Sequence, residues 1–318
     1  MTKANPTHNQ HLQNVSESEH LDKLSRRGFL RLSGVTAAAA AGTSLLSACG
    51  PAAPGASGSD SSDSSSDSSA ATLGDGKTLR VGMEVAYAPY NWQTSESSDT
   101  TIPVDNVSGA YADGYDVQFA KVIAEALGME PVAIKMAFSG LVDSLNNGQI
   151  DIICAGMSAT EERKQAIDFS DPYFVGGFGL LVKKDSPYAS ATSLEDFKGA
   201  AVLGQKDTLL DQVIDDIPEV NHLTPVETVP NMISQLNQGT CDAITFNTES
   251  TKSLLRANPD LVAVQFDEGK GFKETVPVNA GIKKGQDAVL KKINDAIAAY
   301  SDDKRQEIFD ACVDRTPE

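Results

Sequence analysis

Apolar residues recur every three to four positions between 116 and 128. Val117, Ala120, Ile123, Ala124 and Leu127 fall on one face, which predicts an amphipathic helix opened by Asp116 and ended by Gly128. On either side the pattern shortens to that of strands, at 79–83 and 132–136. A helix at 141–147 then leads through Gly148 into an apolar strand at 150–155. The same grammar returns downstream, where 233–237 is helical, Gly239 stops it, and 242–244 restarts as a strand. The strings LNNGQIDII and LNQGTCDAI are alike enough to predict one helix, glycine stop and strand in each of two similarly built lobes. Strands alternating with helices make α/β folds with mainly parallel sheets, whose ligand crevice lies at the strand ends.

The richest stretch is 148–174, GQIDIICAGMSATEERKQAIDFSDPYF. Its strand breaks at Gly156 and restarts as a short polar helix, signalled by Ser158 or Thr160 followed by Glu161 or Glu162. Arg163 thus falls in the first turn, where the helix dipole is already positive and free N–H groups point outward. A bound anion reconciles the two. Carboxylate suits best, because a guanidinium grips it with two parallel hydrogen bonds. The alternative is a solvated pair of Arg163 with Asp168 or Asp171, worth ~0–1 kcal/mol. In DFSDPYF, Asp171 before Pro172 is held out of helical geometry, which predicts a rigid turn packed by the flanking aromatics.

Composition changes the picture mainly at the N-terminus. SRRGFL at 25–30 precedes a short alanine-rich apolar stretch that ends in Leu46-Ser47-Ala48-Cys49. Twin arginines before a weakly apolar segment predict a Tat-type export signal over 1–48, too short and interrupted to span a bilayer. Leu-Ser-Ala-Cys resembles a lipobox, which makes Cys49 the acylated residue that tethers the protein outside the cell membrane. From 49 to 77 the chain is Ser, Asp, Ala, Gly and Pro and predicts a disordered linker with a mean span of ~30 Å.

The formal charge of −18 argues against nucleic acid and against attraction to an anionic membrane surface. Beyond Cys49, Cys154, Cys241 and Cys312 read as buried thiols. Only His222 lies outside the leader region, and no CxxC or HxxxH spacing occurs, so neither zinc nor a Ser/His/Asp triad is expected.

The run GMSATEER…IDFSDPY, preceded by FSGLVDSLNNGQIDI, resembles the signature of the family 3 extracellular solute-binding proteins of polar amino-acid ABC transporters. The likeness extends from about Leu79 to the C-terminal helix. It implies a two-lobed periplasmic-binding-protein-like (type II) fold, with a ligand cleft between lobes joined by two hinge strands. The extended runs at 179–187 and 276–285 then become the crossovers. Lobe 1 is 78–180 plus 276–318, covered by a final helix carrying Leu290, Ile293 and Ile297, and lobe 2 is 181–275.

Carried over position by position, the resemblance places Arg163 on the ligand's α-carboxylate, with the Ser158 hydroxyl beside it. The backbone of Gly156 would accept from the α-ammonium. Phe138 and Tyr87 become aromatic walls, and Glu84 an acidic side-chain contact. Two departures stand out. Asp207 occupies a position where glycine is expected, which puts the backbone contact through Thr208 or Leu209 in doubt. Asn247 replaces an acid that pairs with the α-ammonium, so the amine is held differently or the ligand is not a standard α-amino acid. The polar insert between Trp92 and Tyr111 reads as a solvated loop.

The resemblance implies a non-catalytic, monomeric binding protein without cofactor. It would deliver a polar amino acid to a membrane permease and its ATPase, and Glu84 between aromatics favours a cationic side chain. Two alternatives stay open: a dehydratase acting on a cyclohexadienyl acid, and a ligand sensor without transport.

Overall fold

The computed structural model describes residues 73–317. The export signal, Cys49 and most of the Ser/Asp-rich linker lie outside the described residues. The folded part begins earlier than position 78: Leu73 is buried in the core, and the Asp75 carboxylate accepts from the N–H groups of Lys77 and Thr78.

The strand β1 (Thr78–Met83) leads into a small antiparallel sheet of β2 (Ala86–Tyr87), β3 (Asn91–Thr94), β4 (Ile102–Pro103) and β5 (Tyr111–Asp113). This corrects the expected solvated loop. Within the polar insert, Ile102, Val104, Ala110 and Ala112 alternate with polar residues and are buried, and Val104 bridges to Ala133. Four small apolar positions are a weak signal, yet period two is enough to lay down a half-buried ribbon.

The helix α1 (Tyr115–Leu127) buries Val117, Ala120, Ile123 and Ala124, and ends on left-handed Gly128. After β6 (Glu130–Lys135) come α2 (Leu141–Asn146), β7 (Ile152–Ile153) and α3 (Glu161–Ala166). The segment expected to turn at Asp171-Pro172 is instead part of one 16-residue strand, β8 (Asp168–Lys183). Proline is accommodated because the register with the neighbouring strand slips at this point, opposite Asn279, where no ladder donor is needed.

Beyond β8 lie β9 (Ala201–Leu203), α4 (Leu209–Gln212), β10 (Asn221–His222), α5 (Val229–Gln238), β11 (Ala243–Asn247), α6 (Thr251–Ala257) and β12 (Leu261–Ala263). The chain returns through β13 (Thr275–Ile282) to α7 (Asp287–Ala298) and α8 (Asp302–Arg315). The single final helix expected from Leu290, Ile293 and Ile297 is therefore two. Ser301 caps the second, its hydroxyl accepting from the Lys304 N–H, and Phe309 of α8 stacks on Phe174 with centroids 4.4 Å apart.

The main strands run in the order β10-β9-β11-β8-β13-β7-β1-β6, with β12 also on β8. Pairing is parallel within β6-β1-β7 and within β10-β9-β11, and antiparallel wherever β8 or β13 takes part. The helix, glycine and strand unit recurs as the sequence repeat predicts: α2, Gly148 and β7 on one side, α5, Gly239 and β11 on the other, both glycines at φ +73°. Beside β11, the glycines of β8 are a packing requirement. A Cβ on Gly176 would lie 2.0 Å from a Glu249 carboxylate oxygen, and one on Gly179 2.7 Å from the Phe246 ring. The three described cysteines are free and buried.

Candidate functional site

Four strands end at one cavity. Glu84 follows β1, Ala155 and Gly156 follow β7, Gln205 follows β9, and Asn247 closes β11, so the lining comes from strand C-termini as open α/β sheets dictate. The cavity spans about 360 Å³, part of it open to solvent. Its wall contains all eight residues singled out from the sequence: Glu84, Tyr87, Phe138, Gly156, Ser158, Arg163, Thr208 and Asn247.

Arg163 sits at the start of α3, whose cap is Thr160 rather than Ser158. The Thr160 hydroxyl accepts from the Arg163 N–H at 3.2 Å. The guanidinium lies over the Phe138 ring, 5.1 Å from its centroid, and donates to the carbonyls of Ser158 at 2.9 Å and Asp207 at 2.5 Å. It pairs with no carboxylate among the described residues. Asp168 and Asp171 are not its partners; the Asp168 carboxylate instead accepts from the Gly285 N–H. Burial accordingly lowers the Arg163 pKa from its ordinary value.

Asp207 corrects an expectation. It adopts the left-handed conformation at φ +59°, which aspartate tolerates better than branched residues do, and thereby turns its carbonyl toward Arg163. Thr208 next to it caps α4: its hydroxyl donates to the Gln205 carbonyl at 2.7 Å and accepts from the Leu210 N–H at 3.1 Å. Asp207→Val should lower stability by ~1–2 kcal/mol and weaken ligand binding, because a β-branched residue resists this backbone conformation. Asp207→Gly should leave both intact. Thermal unfolding and calorimetry on the two variants check this.

At the other end Glu84 is 5% exposed. Burial pushes its carboxyl up to about 7, against the pull of a hydrogen bond from Gln205. The Gln205 amide donates to both Glu84 oxygens, at 3.2 and 3.1 Å, and to the Glu227 carbonyl at 3.0 Å. The Glu227 carbonyl can only accept, so the amide must present its nitrogen there and hence to Glu84. Gln205 escaped sequence reasoning, as did Phe178 and Val276. The usable signal for Gln205 was its place just beyond a strand.

Between these poles, the Tyr87 hydroxyl donates to the Asn247 side-chain oxygen, and the Asn247 amide nitrogen is buried without a partner. Gly156 is left-handed at φ +62°, and a Cβ there would come within 2.9 Å of the Tyr87 ring. Beneath, the Tyr90 ring stacks on Tyr87 at 5.0 Å and its hydroxyl donates to Glu249. No group of His, Cys, Asp and Glu able to hold a metal occurs among the described residues. The cavity wall thus combines a cation, an acid and aromatic rings, a lining suited to a small zwitterion.

The family model for bacterial extracellular solute-binding proteins, family 3, matches residues 79–311. The ABC transporter glutamine-binding protein GlnH of Bacillus subtilis is 34% identical over 217 residues, which cover 67% of this chain and 77% of the relative. The L-cystine-binding protein TcyJ of Escherichia coli is 28% identical over 226 residues, 71% of this chain and 78% of the relative. Among solved structures, an ancestral arginine-binding protein bound to arginine is 30% identical with a TM-score of 0.60, over 74% of this chain and 97% of that one. An ancestral arginine-binding protein bound to glutamine matches with the same identity and TM-score.

Proposed function

The chain belongs to the bacterial extracellular solute-binding proteins of family 3, and from that premise we propose that its cavity holds an amino acid by the carboxylate on Arg163 and by the side chain at Glu84. The protein is the substrate-binding component of an amino-acid ABC transporter. The relatives compared above are named for binding and none for a reaction, and the chain is a binding protein rather than an enzyme.

One observation carries the assignment of the carboxylate. A half-buried guanidinium that faces the cavity holds two carbonyls and the Phe138 ring face but pairs with no carboxylate among the described residues. An incoming carboxylate supplies the balance with charge-assisted bonds. The Ser158 and Asp207 carbonyls fix the fork in place beforehand, which reduces the ordering cost of binding. Phe138, Tyr87 and Phe178 then exclude water from the ligand's aliphatic part.

Side-chain preference follows from Glu84. A buried acid next to aromatic faces favours a basic side chain, which gains from both the carboxylate and the rings. The ancestral relatives, one bound to arginine and one to glutamine, support a site in which the terminal group decides. The proposal extends to the rest of the chain. Residues 1–48 direct Tat-type export, Cys49 is lipidated, and the Ser/Asp-rich segment tethers the domain outside the membrane. The part formed by 78–180 and 276–318 moves against 181–275 about the paired strands β8 and β13, which presents the closed form to permease and ATPase.

A thermal-shift panel tests this reading. The purified protein, unfolded and refolded to strip carried ligand, is heated with each common amino acid and with ornithine and citrulline. Arginine, lysine or ornithine at ~100 times its dissociation constant should add ~2.7 kcal/mol of stability. A panel in which no amino acid shifts the transition would sink the assignment.

A further inference from the structure

Asn247 closes β11, lines the cavity and is 4% exposed. Its amide is oriented by one contact: the Tyr87 hydroxyl donates to Oδ1, and Nδ2 is buried without a partner. Turning the amide over would not repair this. Nδ2 would then donate to the Tyr87 oxygen, but Oδ1 would lose its donor and the Tyr87 proton would have no acceptor among the described residues. Two orphans would replace one. Position 247 therefore presents N–H groups, where the family likeness implies an acid that accepts from an ammonium.

The surroundings of Asn247 decide what this donor meets. β11 runs beside β9, with Ile244 opposite Leu203, and the turn after β9 carries the Asp207 carbonyl to which Arg163 donates. The Thr245 hydroxyl, donating to the Leu210 carbonyl at 2.6 Å, ties β11 to α4 beside that turn. On the other side the Tyr87 ring lies so near Gly156 that a Cβ there would come within 2.9 Å of it, and the same loop supplies the Ser158 carbonyl for the other arm of the guanidinium. Asn247 and Tyr87 thus flank the grip on the carboxylate. The ligand group they meet is the one on the adjoining carbon.

Charge points the same way. The lining contains one base, Arg163, and one acid, Glu84. A ligand with one carboxylate and one cationic terminus matches that complement. A basic α-amino acid brings a second cation, from which the N–H groups of Asn247 cannot accept. A hydroxyl on the same carbon adds no charge. It accepts from Asn247 and keeps a proton to donate to a backbone carbonyl.

We propose that Asn247, held in its donor polarity by Tyr87, extends the ligand range to 2-hydroxy acids, so that the 2-hydroxy counterpart of a basic amino acid binds at least as tightly as the amino acid itself. The proposal rests on the assignment of the ligand carboxylate to Arg163 and of its terminal group to Glu84. Tyr87 is here a positioning residue, which acts on the choice of ligand through Asn247.

Two ligand pairs test this by calorimetry on protein stripped by unfolding and refolding. L-Arginine is compared with (S)-2-hydroxy-5-guanidinopentanoate, and L-lysine with (S)-6-amino-2-hydroxyhexanoate. In wild-type protein the hydroxy member should equal or exceed the amino member. Asn247→Asp puts a charged acceptor in place of the donor and should shift the affinity ratio within each pair toward the amino member by at least about tenfold. Tyr87→Phe keeps the ring and removes the lock, so the amide is free to turn its oxygen to the ammonium. The ratio should move the same way by about threefold or more. A merely structural role would weaken both members alike and leave the ratio unmoved.

A wild-type preference for the amino member beyond about threefold, or a ratio unmoved in Asn247→Asp, overturns the proposal. Should Asn247→Asp fail to fold, Tyr87→Phe decides, and an unmoved ratio there has the same force. If no member of either pair binds wild-type protein, the Arg163 and Glu84 reading fails and this proposal falls with it. If both members bind and the amino one is favoured beyond that margin, that reading stands and only the role of Asn247 falls.

Discussion

Replacing Arg163 with alanine should abolish amino-acid binding while leaving the fold standing. Loss of about 30-fold to several-thousandfold in affinity is expected in calorimetry, which is the ~2–5 kcal/mol that follows removal of one partner from a buried charged pair. Stability without ligand should change by no more than ~1 kcal/mol, because the guanidinium holds only two carbonyls and its burial already opposes its charge. The combination is diagnostic. An arginine that served mainly as a structural clamp would lower stability as well as affinity. Near-normal affinity in Arg163→Ala would remove the carboxylate assignment altogether. Arg163→Lys should recover part of the loss, since a point charge replaces a fork that binds with two parallel bonds.

Glu84→Gln should produce two opposite effects, a more stable protein and a weaker grip on basic amino acids. In the folded chain the carboxyl holds its proton up to about pH 7, against an ordinary value of 4.5. A raised value means that the folded state binds the proton more tightly than the unfolded chain. The associated stability is complete below about pH 4.5 and is lost as the pH rises through 7, a swing of ~3 kcal/mol. Glutamine has no charge to bury. Urea unfolding should therefore show the variant more stable than wild type by up to ~3 kcal/mol at pH 8 and equal to it near pH 4. The binding side mirrors this. A cationic side chain prefers the ionised acid, so wild-type affinity for arginine should climb between pH 5.5 and 7.5, with a proton released on binding. In the variant the climb should vanish. Identical pH profiles for the two proteins would show that the ligand's side chain does not meet Glu84.

Local chemistry was legible in the chain wherever one short window contained the whole signal. The period of α1 and its left-handed Gly128, the repeated helix, glycine and strand, and the Thr160 cap ahead of Arg163 are each contained in one short window of sequence. What depended on distant neighbours was not. Asp171-Pro172 reads as a turn in isolation, and only the slipped register with Asn279 lets it continue as strand. The insert after Trp92 has too few apolar residues to announce a sheet until Ala133 and β5 are alongside it. Asp207 could be judged only as an unsuitable glycine substitute, because the carbonyl it offers to Arg163 is a feature of the folded loop.

The family likeness picked eight positions from Glu84 to Asn247, and all of them line one cavity. Gln205 shows the limit of that route. Its part depends on a carboxylate 121 residues away and on the Glu227 carbonyl that fixes its amide, and neither leaves a trace near position 205.

The glycines of β8 carry a further implication. Gly176, Gly177 and Gly179 are bare because the segment from Phe246 to Glu249 presses on them, but bareness also leaves that stretch of ribbon without side chains to resist twisting. In the hinge proposed for β8 and β13, torsional compliance would be concentrated in these few residues beside the cavity. Motion about them would then have essentially one axis, whichever amino acid occupied the cleft. A membrane partner that touches both halves would then sense one angle rather than the chemistry of the ligand, and a transporter could accept several substrates through a single mechanical readout.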